Sequence, residues 1–196
     1  MAIRIEERFT VKAPVQAVWE YLVDPRRVVS CLPGAELTEV VDERTFHGAV
    51  KVKVGAVTVS YKGRVRVVEI DAAAHRVRME GEGRESAGTG SAKMAMESTV
   101  APADGGAEVV VRSDVDVVGR IVQLGRGMIE QVSHQLFEQF AGCVRATLEA
   151  EAAARAGGTA PAPAAPRREA VAILPLLARA LWAWLRGLFR GTPRQV

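Results

Sequence analysis

Histidines and cysteines are the side chains of this sequence best suited to metal binding or nucleophilic catalysis. The chain has His47, His75 and His134, together with Cys31 and Cys143. Structural zinc sites usually take pairs of such ligands separated by two to four residues, and that spacing does not occur here. We therefore interpret the histidines as solvated, with His47 on the wet face of a strand and His134 off the apolar stripe of a helix. No metal site is predicted.

Cys31 precedes Leu32, Pro33 and Gly34 and could be considered as a nucleophile. A nucleophilic thiol needs a neighbouring base, and the sequence places none beside it. A small apolar residue at the rim of a pocket is the preferred interpretation. The two cysteines lie far apart and do not suggest a disulfide framework. Since the N-terminus has no apolar run typical of a signal peptide, we expect a reducing, cytoplasmic location.

The glycine-rich segment GEGRESAGTGSAK, residues 81–93, resembles a phosphate-binding loop only superficially. Thr89 occupies the position where a P-loop requires lysine, and Ser86 replaces the third glycine of the dinucleotide-binding pattern. No helical pattern follows either motif. We predict a flexible hairpin, which could line the mouth of a cavity.

Most of the chain before residue 118 has the period-two alternation of β-strands. A first strand covers residues 3–11, and short amphipathic helices follow Pro14 and Asp24-Pro25. Between 36 and 117, alternating apolar and charged residues predict about six further strands, each with one wet and one dry face. No helical pattern separates these strands, so a parallel βαβ sheet is not expected.

A long helix is predicted from Val118 to about Ala154. Its large apolar residues recur every three to four positions, which indicates one apolar stripe. At 1.5 Å per residue the helix would be about 50 Å long. Gly125 lies within the stripe and costs about 1 kcal/mol of helix propensity relative to alanine. Room for a ligand, or close packing on the sheet, would explain it. Arg120 and Arg126 could contact acidic residues of a partner or the polar head group of a ligand. Keeping the helix soluble would explain them equally well.

These elements predict an α+β fold in which a twisted antiparallel sheet of about seven strands wraps around one long C-terminal helix. Two short helices follow the first strand. The dry face of the sheet carries small residues and methionines, which leave volume or adapt to variable shapes. These residues are Gly48, Gly63, Gly81, Ala92, Met79, Met94 and Met96, with Met128 on the helix. A ligand cavity and an ordinary filled core both remain open at this point.

Several blocks across about residues 3–148 resemble the family of the carbon monoxide dehydrogenase G subunit, within the START-like (SRPBCC) helix-grip superfamily. The blocks are V29-S30-C31-L32-P33-G34-A35, F46-x-G48, K51-x-K53-x-G55, Y61-x-G63, G81-x-G83 with G88-x-G90, and V118-G119-R120-I121-V122-Q123-L124-G125-R126. The resemblance implies a non-enzymatic accessory protein of molybdenum-hydroxylase-type carbon monoxide dehydrogenases. Such proteins are associated with attaching the cytoplasmic enzyme to the membrane.

The resemblance also implies a hydrophobic ligand in the helix-grip cavity, and the ligand that we expect is a respiratory quinone, menaquinone or ubiquinone. The cavity-lining residues that we predict are Cys31, Leu32, Pro33, Val50, Met79, Met94, Met96, Leu124, Met128 and Val132. Two alternatives remain: a tether or assembly factor with a filled core, and an enzyme of the cyclase or hydrolase type found in the same superfamily. No inward-facing acid–base pair emerges from the pattern to favour the enzyme.

The charge of the chain is divided unevenly. Residues 1–156 carry 20 Lys/Arg and 22 Asp/Glu, whereas residues 157–196 carry six Arg and one Glu. A nucleic-acid-binding domain would have its basic patch on the folded part, so nucleic acid is not an expected partner. We predict a helix-grip domain at 1–156, an Ala/Pro-rich flexible linker at 157–168 and an amphipathic tail at 169–196.

The tail has the pattern of a helix that lies in a membrane interface. At 100° per residue Arg168, Arg179, Arg186 and Arg190 fall within about 40° of one another, opposite a broad Leu/Trp face. A helix that spans the bilayer would bury Arg179 at a cost of about 2.5–3.5 kcal/mol. Docking on the domain or on a partner protein is the other alternative. The predicted membrane-binding residues are Leu177, Arg179, Leu181, Trp182, Trp184, Leu185, Arg186, Leu188, Phe189 and Arg190. This places the protein on the inner face of the cell membrane.

Overall fold

The computed structural model describes residues 1–54 and 57–156. Its strands are β1 (Ala2–Val11), β2 (Ala35–Val40), β3 (Thr45–Val54), β4 (Val57–Asp71), β5 (Arg76–Glu85), β6 (Ser91–Ala103) and β7 (Gly106–Val118). Its helices are α1 (Val15–Leu22), α2 (Pro25–Cys31), a 3-10 helix (Arg120–Leu124) and α3 (Arg126–Ala156). The predicted α+β fold and its order of elements are confirmed.

The seven strands form one antiparallel sheet in the order β1-β7-β6-β5-β4-β3-β2. Consecutive strands from β2 to β7 are neighbours, and β1 joins the far edge by pairing with β7. The registers place the small inward residues side by side: Gly48 opposes Gly63, Gly63 opposes Gly83, and Gly83 opposes Ala92. One row across the middle strands is therefore almost free of side chains.

The two faces of the sheet differ in chemistry because residues alternate along each strand. The inner face packs against α3 and carries valines, methionines and glycines. The outer face carries charged residues that pair across strands, such as Arg4 with Asp114 and Arg64 with Glu82, both at 2.8 Å. These outer pairs are exposed, so each contributes little to stability.

The packed core lies at one end of the inner face. The C-terminal half of α3 brings Phe140, Val144 and Leu148 against this part of the sheet, and each is at most 7% exposed. Phe9 of β1 packs edge-on against Phe140, with ring centroids 6.1 Å apart. Helices α1 and α2 close this end. Asp24 caps α2 by accepting a hydrogen bond from the backbone N–H of Arg26 at 2.9 Å.

The predicted start of the long helix at Val118 is wrong by eight residues. β7 continues to Val118, a short 3-10 helix follows, and α3 begins only at Arg126. Gly119 and Gly125 bound the 3-10 helix with φ angles of 113° and 79°. A side chain at Gly125 would meet nothing within 4 Å, so its positive φ explains this glycine and close packing does not.

The expectation that the cysteines are unpaired is also wrong. Cys31 at the end of α2 and Cys143 of α3 form a disulfide with a Cα–Cα distance of 5.5 Å. Both sulfurs lie with the packed core, and the bond joins two helices that contact each other. The pairing removes the support that the cysteines gave to a reducing compartment.

Several predictions fall outside the described residues. They concern Gly55 of the K51-x-K53-x-G55 block, the linker at 157–168 and the tail at 169–196 with its membrane-binding residues. The proposed domain boundaries stay a prediction. In the part of the chain that the structure describes, no helix has both the length and the apolar character needed to cross a membrane.

Candidate functional site

The middle of the inner face is only partly covered, although buried residues such as Val59 and Val117 lie beyond it on the side away from the packed core. Here Val65, Met79, Met94, Met96 and Val115 are half-buried although they point to the same side as the core residues. Helix α3 runs along β1, at one edge of the sheet. We call this half-covered apolar surface the trough. The trough is apolar, and three of the side chains that line it are flexible methionines, which can adapt to different shapes.

Four of the predicted lining residues share the inner face of the sheet. Val50 opposes Tyr61 across β3 and β4, whereas Met79 and Met96 oppose each other across β5 and β6. Met94 opposes Gly81, and its methyl carbon is 3.2 Å from the position that a Cβ there would take. Without a side chain at Gly81, Met94 has room to change its position.

The helical lining residues lie near the open end of α3. Leu124 belongs to the 3-10 helix, Met128 is 45% exposed, and Val132 is half-buried. Val132 is two turns before the core residue Phe140, on the same stripe. These three residues are placed where the helix is least covered, and their contact with a ligand stays a prediction.

Cys31 is not placed at a pocket rim. It is 6% exposed, belongs to the packed core and is bonded to Cys143. The following residues, Leu32 and Pro33, lead into β2, where the Lys51 N–H donates to the Gly34 carbonyl oxygen at 2.9 Å. Leu32 is 40% exposed, and a role of Leu32 and Pro33 in ligand binding stays a prediction.

A polar cluster that the sequence interpretation missed lies at the end of the inner face opposite the core. Glu85, the last residue of β5, has a side chain that is only 2% exposed and pairs with Arg120 of the 3-10 helix, Oε1 to Nη2, at 2.5 Å. The Gly90 N–H donates to the other carboxylate oxygen at 3.3 Å. The hydrogen bond from Arg120 holds the pKa of Glu85 below its ordinary value. Glu85 is therefore a charged carboxylate at neutral pH and a poor general base.

This carboxylate explains two glycines of the glycine-rich segment. A Cβ at Gly88 or Gly90 would lie 2.5 or 2.6 Å from the Oε2 atom of Glu85. The predicted hairpin between β5 and β6 is present and is folded around a buried carboxylate, which the sequence analysis did not foresee. Its flexibility stays a prediction. The alternation of Val77, Met79 and Gly81 continues to Gly83 and Glu85. The sequence therefore did indicate that Glu85 lies on the inner face.

Tyr61 completes the cluster. It opposes Glu85 across β4 and β5, and it is 8% exposed. Its phenol oxygen is buried and has no hydrogen-bond partner among the described residues. Burial, and next the charge of Glu85, raise the pKa of Tyr61, so the phenol stays protonated and can donate.

A second inward-facing acid binds a histidine. Glu7, the charged position that interrupts the alternation of β1, lies 2.8 Å from Nδ1 of His134 on α3. This hydrogen bond raises the pKa of His134. His134 is solvated as predicted, with 61% of its side chain exposed, but its carboxylate partner was not foreseen. Within residues 1–54 and 57–156, no group of three or more His, Cys, Asp or Glu side chains is arranged to hold a metal ion.

A sheet of this topology held against one long helix, with a half-covered apolar inner face, defines a helix-grip protein of the START-like class. Residues 8–149 match the family of the carbon monoxide dehydrogenase G subunit, CoxG. The chain therefore belongs to this family, as the sequence resemblance predicted. The comparison with curated protein sequences gives no match.

Solved structures agree on the fold. A conserved protein from Geobacillus kaustophilus superposes with a TM-score of 0.66 at 18% identity, covering 76% of this chain and 97% of its own. For the Zhui aromatase/cyclase from Streptomyces sp. R1128 the TM-score is 0.59 at 18% identity, with coverages of 81% and 99%. A START superfamily protein from Mycobacterium smegmatis gives 0.53 at 12% identity, with coverages of 75% and 97%. At these identities the likeness concerns the fold alone.

Proposed function

We propose that this protein is a non-enzymatic accessory protein that binds a hydrophobic ligand in the trough. The observation that carries the proposal is the half-buried state of inner-face residues such as Met94, Met96 and Val115, which a filled core would cover completely. Contiguous apolar surface that stays accessible in a folded domain often marks a binding site. The methionines adapt to the shape of a ligand, and the glycine row provides width.

A respiratory quinone, menaquinone or ubiquinone, is the ligand that we propose. The family of this chain connects it with carbon monoxide dehydrogenase, whose electrons must reach a carrier. A quinone combines a flat ring and a long hydrocarbon tail, so most of its surface would lie on apolar side chains. The trough offers such an apolar surface. The protein would thereby recruit a molybdenum-hydroxylase-type dehydrogenase to the cytoplasmic face of the membrane.

The ligand proposal is tested with the purified full chain, by lipid extraction followed by mass spectrometry and by titration with menaquinone-4. The blocking variant is Gly83→Leu, because a Cβ at Gly83 meets only ordinary contacts, the nearest at 3.5 Å. The matched control is Ala95→Leu, which adds the same side chain on the outer face of the sheet. We expect Gly83→Leu to lose menaquinone-4 and Ala95→Leu to retain it.

Failure of the unmodified chain to carry or bind any apolar molecule would instead favour a tether with a filled core. An enzyme of the cyclase type is the weaker alternative. The inward carboxylate of Glu85 is neutralised by Arg120 and holds the Gly90 N–H, so it is not placed as a base toward the trough. Catalytic turnover by the purified chain would overturn the non-enzymatic proposal.

Membrane recruitment is proposed to depend on the basic, Leu/Trp-rich sequence of residues 169–196. Flotation with liposomes containing anionic lipid compares the full chain with a version that ends at Pro166. We expect the full chain to float and the shortened chain to remain at the bottom of the gradient. A third sample, in which Arg179, Arg186 and Arg190 are changed to Gln, should float less, because each Arg near an anionic surface adds about 1 kcal/mol. Equal recovery of all three at the bottom would contradict the proposal.

A further inference from the structure

The polar cluster at the end of the trough has a feature that its ion pair does not explain. Glu85 and Arg120 satisfy each other, but the neighbouring Tyr61 has a buried hydroxyl group without a partner among the described residues. A buried hydroxyl that makes no hydrogen bond destabilises the folded protein, whereas phenylalanine would fill the same space without this cost. Such groups in native proteins call for a partner such as an ordered water or a ligand.

We propose that Tyr61, Glu85 and Arg120 form the head-group subsite of the trough, in which the Tyr61 phenol donates a hydrogen bond to a neutral carbonyl or hydroxyl oxygen of the bound ligand. The proposal rests on the ligand-binding function stated above and adds where the polar end of the ligand lies. It also restricts the chemistry of that end.

The position of Tyr61 connects it to the trough. Residues two apart on a strand point to the same face, so Gly63 is the inner-face neighbour of Tyr61 on β4, and Gly83 is that of Glu85 on β5. Gly63 and Gly83 also oppose each other across the two strands. The inner face beside the phenol is therefore bare backbone, and a flat ring could lie there with its oxygen toward Tyr61.

The charges of the cluster favour a ligand with an uncharged head group. Arg120 would attract an anion if it were unpaired, but the carboxylate of Glu85 lies 2.5 Å from its guanidinium and cancels its charge. Since the ion pair has no net charge, a fatty-acid carboxylate placed beside Tyr61 would lose its hydration without gaining a counter-charge. A ketone, quinone or alcohol oxygen has no such penalty, and the protonated phenol provides the donor that it needs.

Access requires a small rearrangement, because the Tyr61 oxygen has almost no exposed surface. The neighbouring Arg120 side chain is 58% exposed and long enough to keep its ion pair with Glu85 when its backbone shifts. It begins the 3-10 helix, which is bounded by Gly119 and Gly125, both with positive φ. A Cβ at Gly125 would meet nothing within 4 Å, so the backbone at this end of the segment can change conformation with little steric hindrance while β7 and α3 stay in place.

The test uses two probes of nearly the same shape, menadione and 2-methylnaphthalene, which differ in the two carbonyl groups. Their dissociation constants are measured with the full chain, with Tyr61→Phe and with Ser98→Ala. Ser98 is the matched control, since it is another buried inner-face hydroxyl without a partner among the described residues, but it lies in the packed end. We expect Tyr61→Phe to weaken menadione about tenfold and to leave 2-methylnaphthalene unchanged. Ser98→Ala should change neither.

The outcomes separate the subsite from the function. If Tyr61→Phe and the unmodified chain bind menadione equally well, the subsite is overturned and ligand binding in the trough is not. The same conclusion follows if the unmodified chain binds menaquinone-4 but not menadione. If the unmodified chain binds neither probe and no menaquinone-4, the proposed function itself is overturned. Palmitate and 1-hexadecanol, which share the same chain length and differ in the charge of the head group, test the neutral-head requirement, and tighter binding of palmitate overturns it. Thermal unfolding should show Tyr61→Phe to be at least as stable as the unmodified chain, which confirms that weaker binding does not come from misfolding.

Discussion

Reduction of the bond between Cys31 and Cys143 should destabilise the domain strongly. The two cysteines are 112 residues apart in sequence, so the bond closes a loop that includes β2 to β7 and the whole first half of α3. A crosslink stabilises chiefly by limiting the conformations of the unfolded chain, and the effect grows with the logarithm of loop length. For a loop of this size the chain-entropy relation gives about 4.8 kcal/mol at 25 °C.

This magnitude is large compared with the stability of an ordinary domain, about 5–15 kcal/mol. With a urea m-value of about 2 kcal/mol/M, it corresponds to a shift of roughly 2 M in the midpoint of unfolding. The measurement is urea denaturation of the oxidised protein with and without a phosphine reductant, together with a thiol count on each sample. The reduced sample should unfold at the lower urea concentration.

The control is the double variant Cys31→Ala/Cys143→Ala, whose midpoint should not respond to the reductant. The Tyr21 hydroxyl lies 3.1 Å from the sulfur of Cys31 and also donates to the Arg27 carbonyl at 3.0 Å, so it keeps a partner in this variant. If the thiol count changes from zero to two while the midpoint of the unmodified protein stays the same, the loop-entropy argument is refuted.

Two further predictions concern α3 and the residue that precedes it. The Glu7 carboxylate raises the pKa of His134, so the stability that this contact contributes is fully present below the unfolded pKa of about 6.5 and is lost as pH rises through the higher folded pKa. His134→Gln should therefore lower the melting temperature at pH 5.5 and have little effect at pH 9, and an equal effect at both would contradict the linkage. Gly125→Ala should destabilise by about 1–3 kcal/mol because its φ of 79° and ψ of 156° suit only glycine. Gly127→Ala, inside the first turn of α3, should stabilise by up to about 1 kcal/mol in the same urea assay, and a similar loss for both would refute the conformational argument.

The sheet could be predicted from the sequence because alternation reports directly on which side of a strand a residue lies. The inward sets that include Gly48, Gly63 and Met94 are found on one face, as expected. The start of α3 could not be predicted in this way. The apolar spacing continues through Leu124 in the 3-10 helix, and side-chain periodicity does not report the φ angles of Gly119 and Gly125.

The missed parts of the site depend on contacts between distant residues. The Cys31–Cys143 bond exists because α2 and α3 pack together, which no local pattern encodes. Glu85 stands at an inward position, but an acid there gives no signal of the arginine that would neutralise it. Arg120 is 35 residues away in sequence and reaches Glu85 only through the order of strands β5, β6 and β7.

The uneven packing along α3 has a consequence for how the domain moves. Its C-terminal half is tied to the sheet by Phe140, Val144 and Leu148 and to α2 by the disulfide, whereas Met128 at the other end is 45% exposed. Local opening requires less free energy where fewer apolar contacts must be broken. The first turns of α3 should therefore exchange their amide hydrogens through local fraying, while the turns around Val144 and Leu148 exchange only when the whole domain unfolds. Entry to the trough then needs no global unfolding, because the less stable half of the helix is the half beside it.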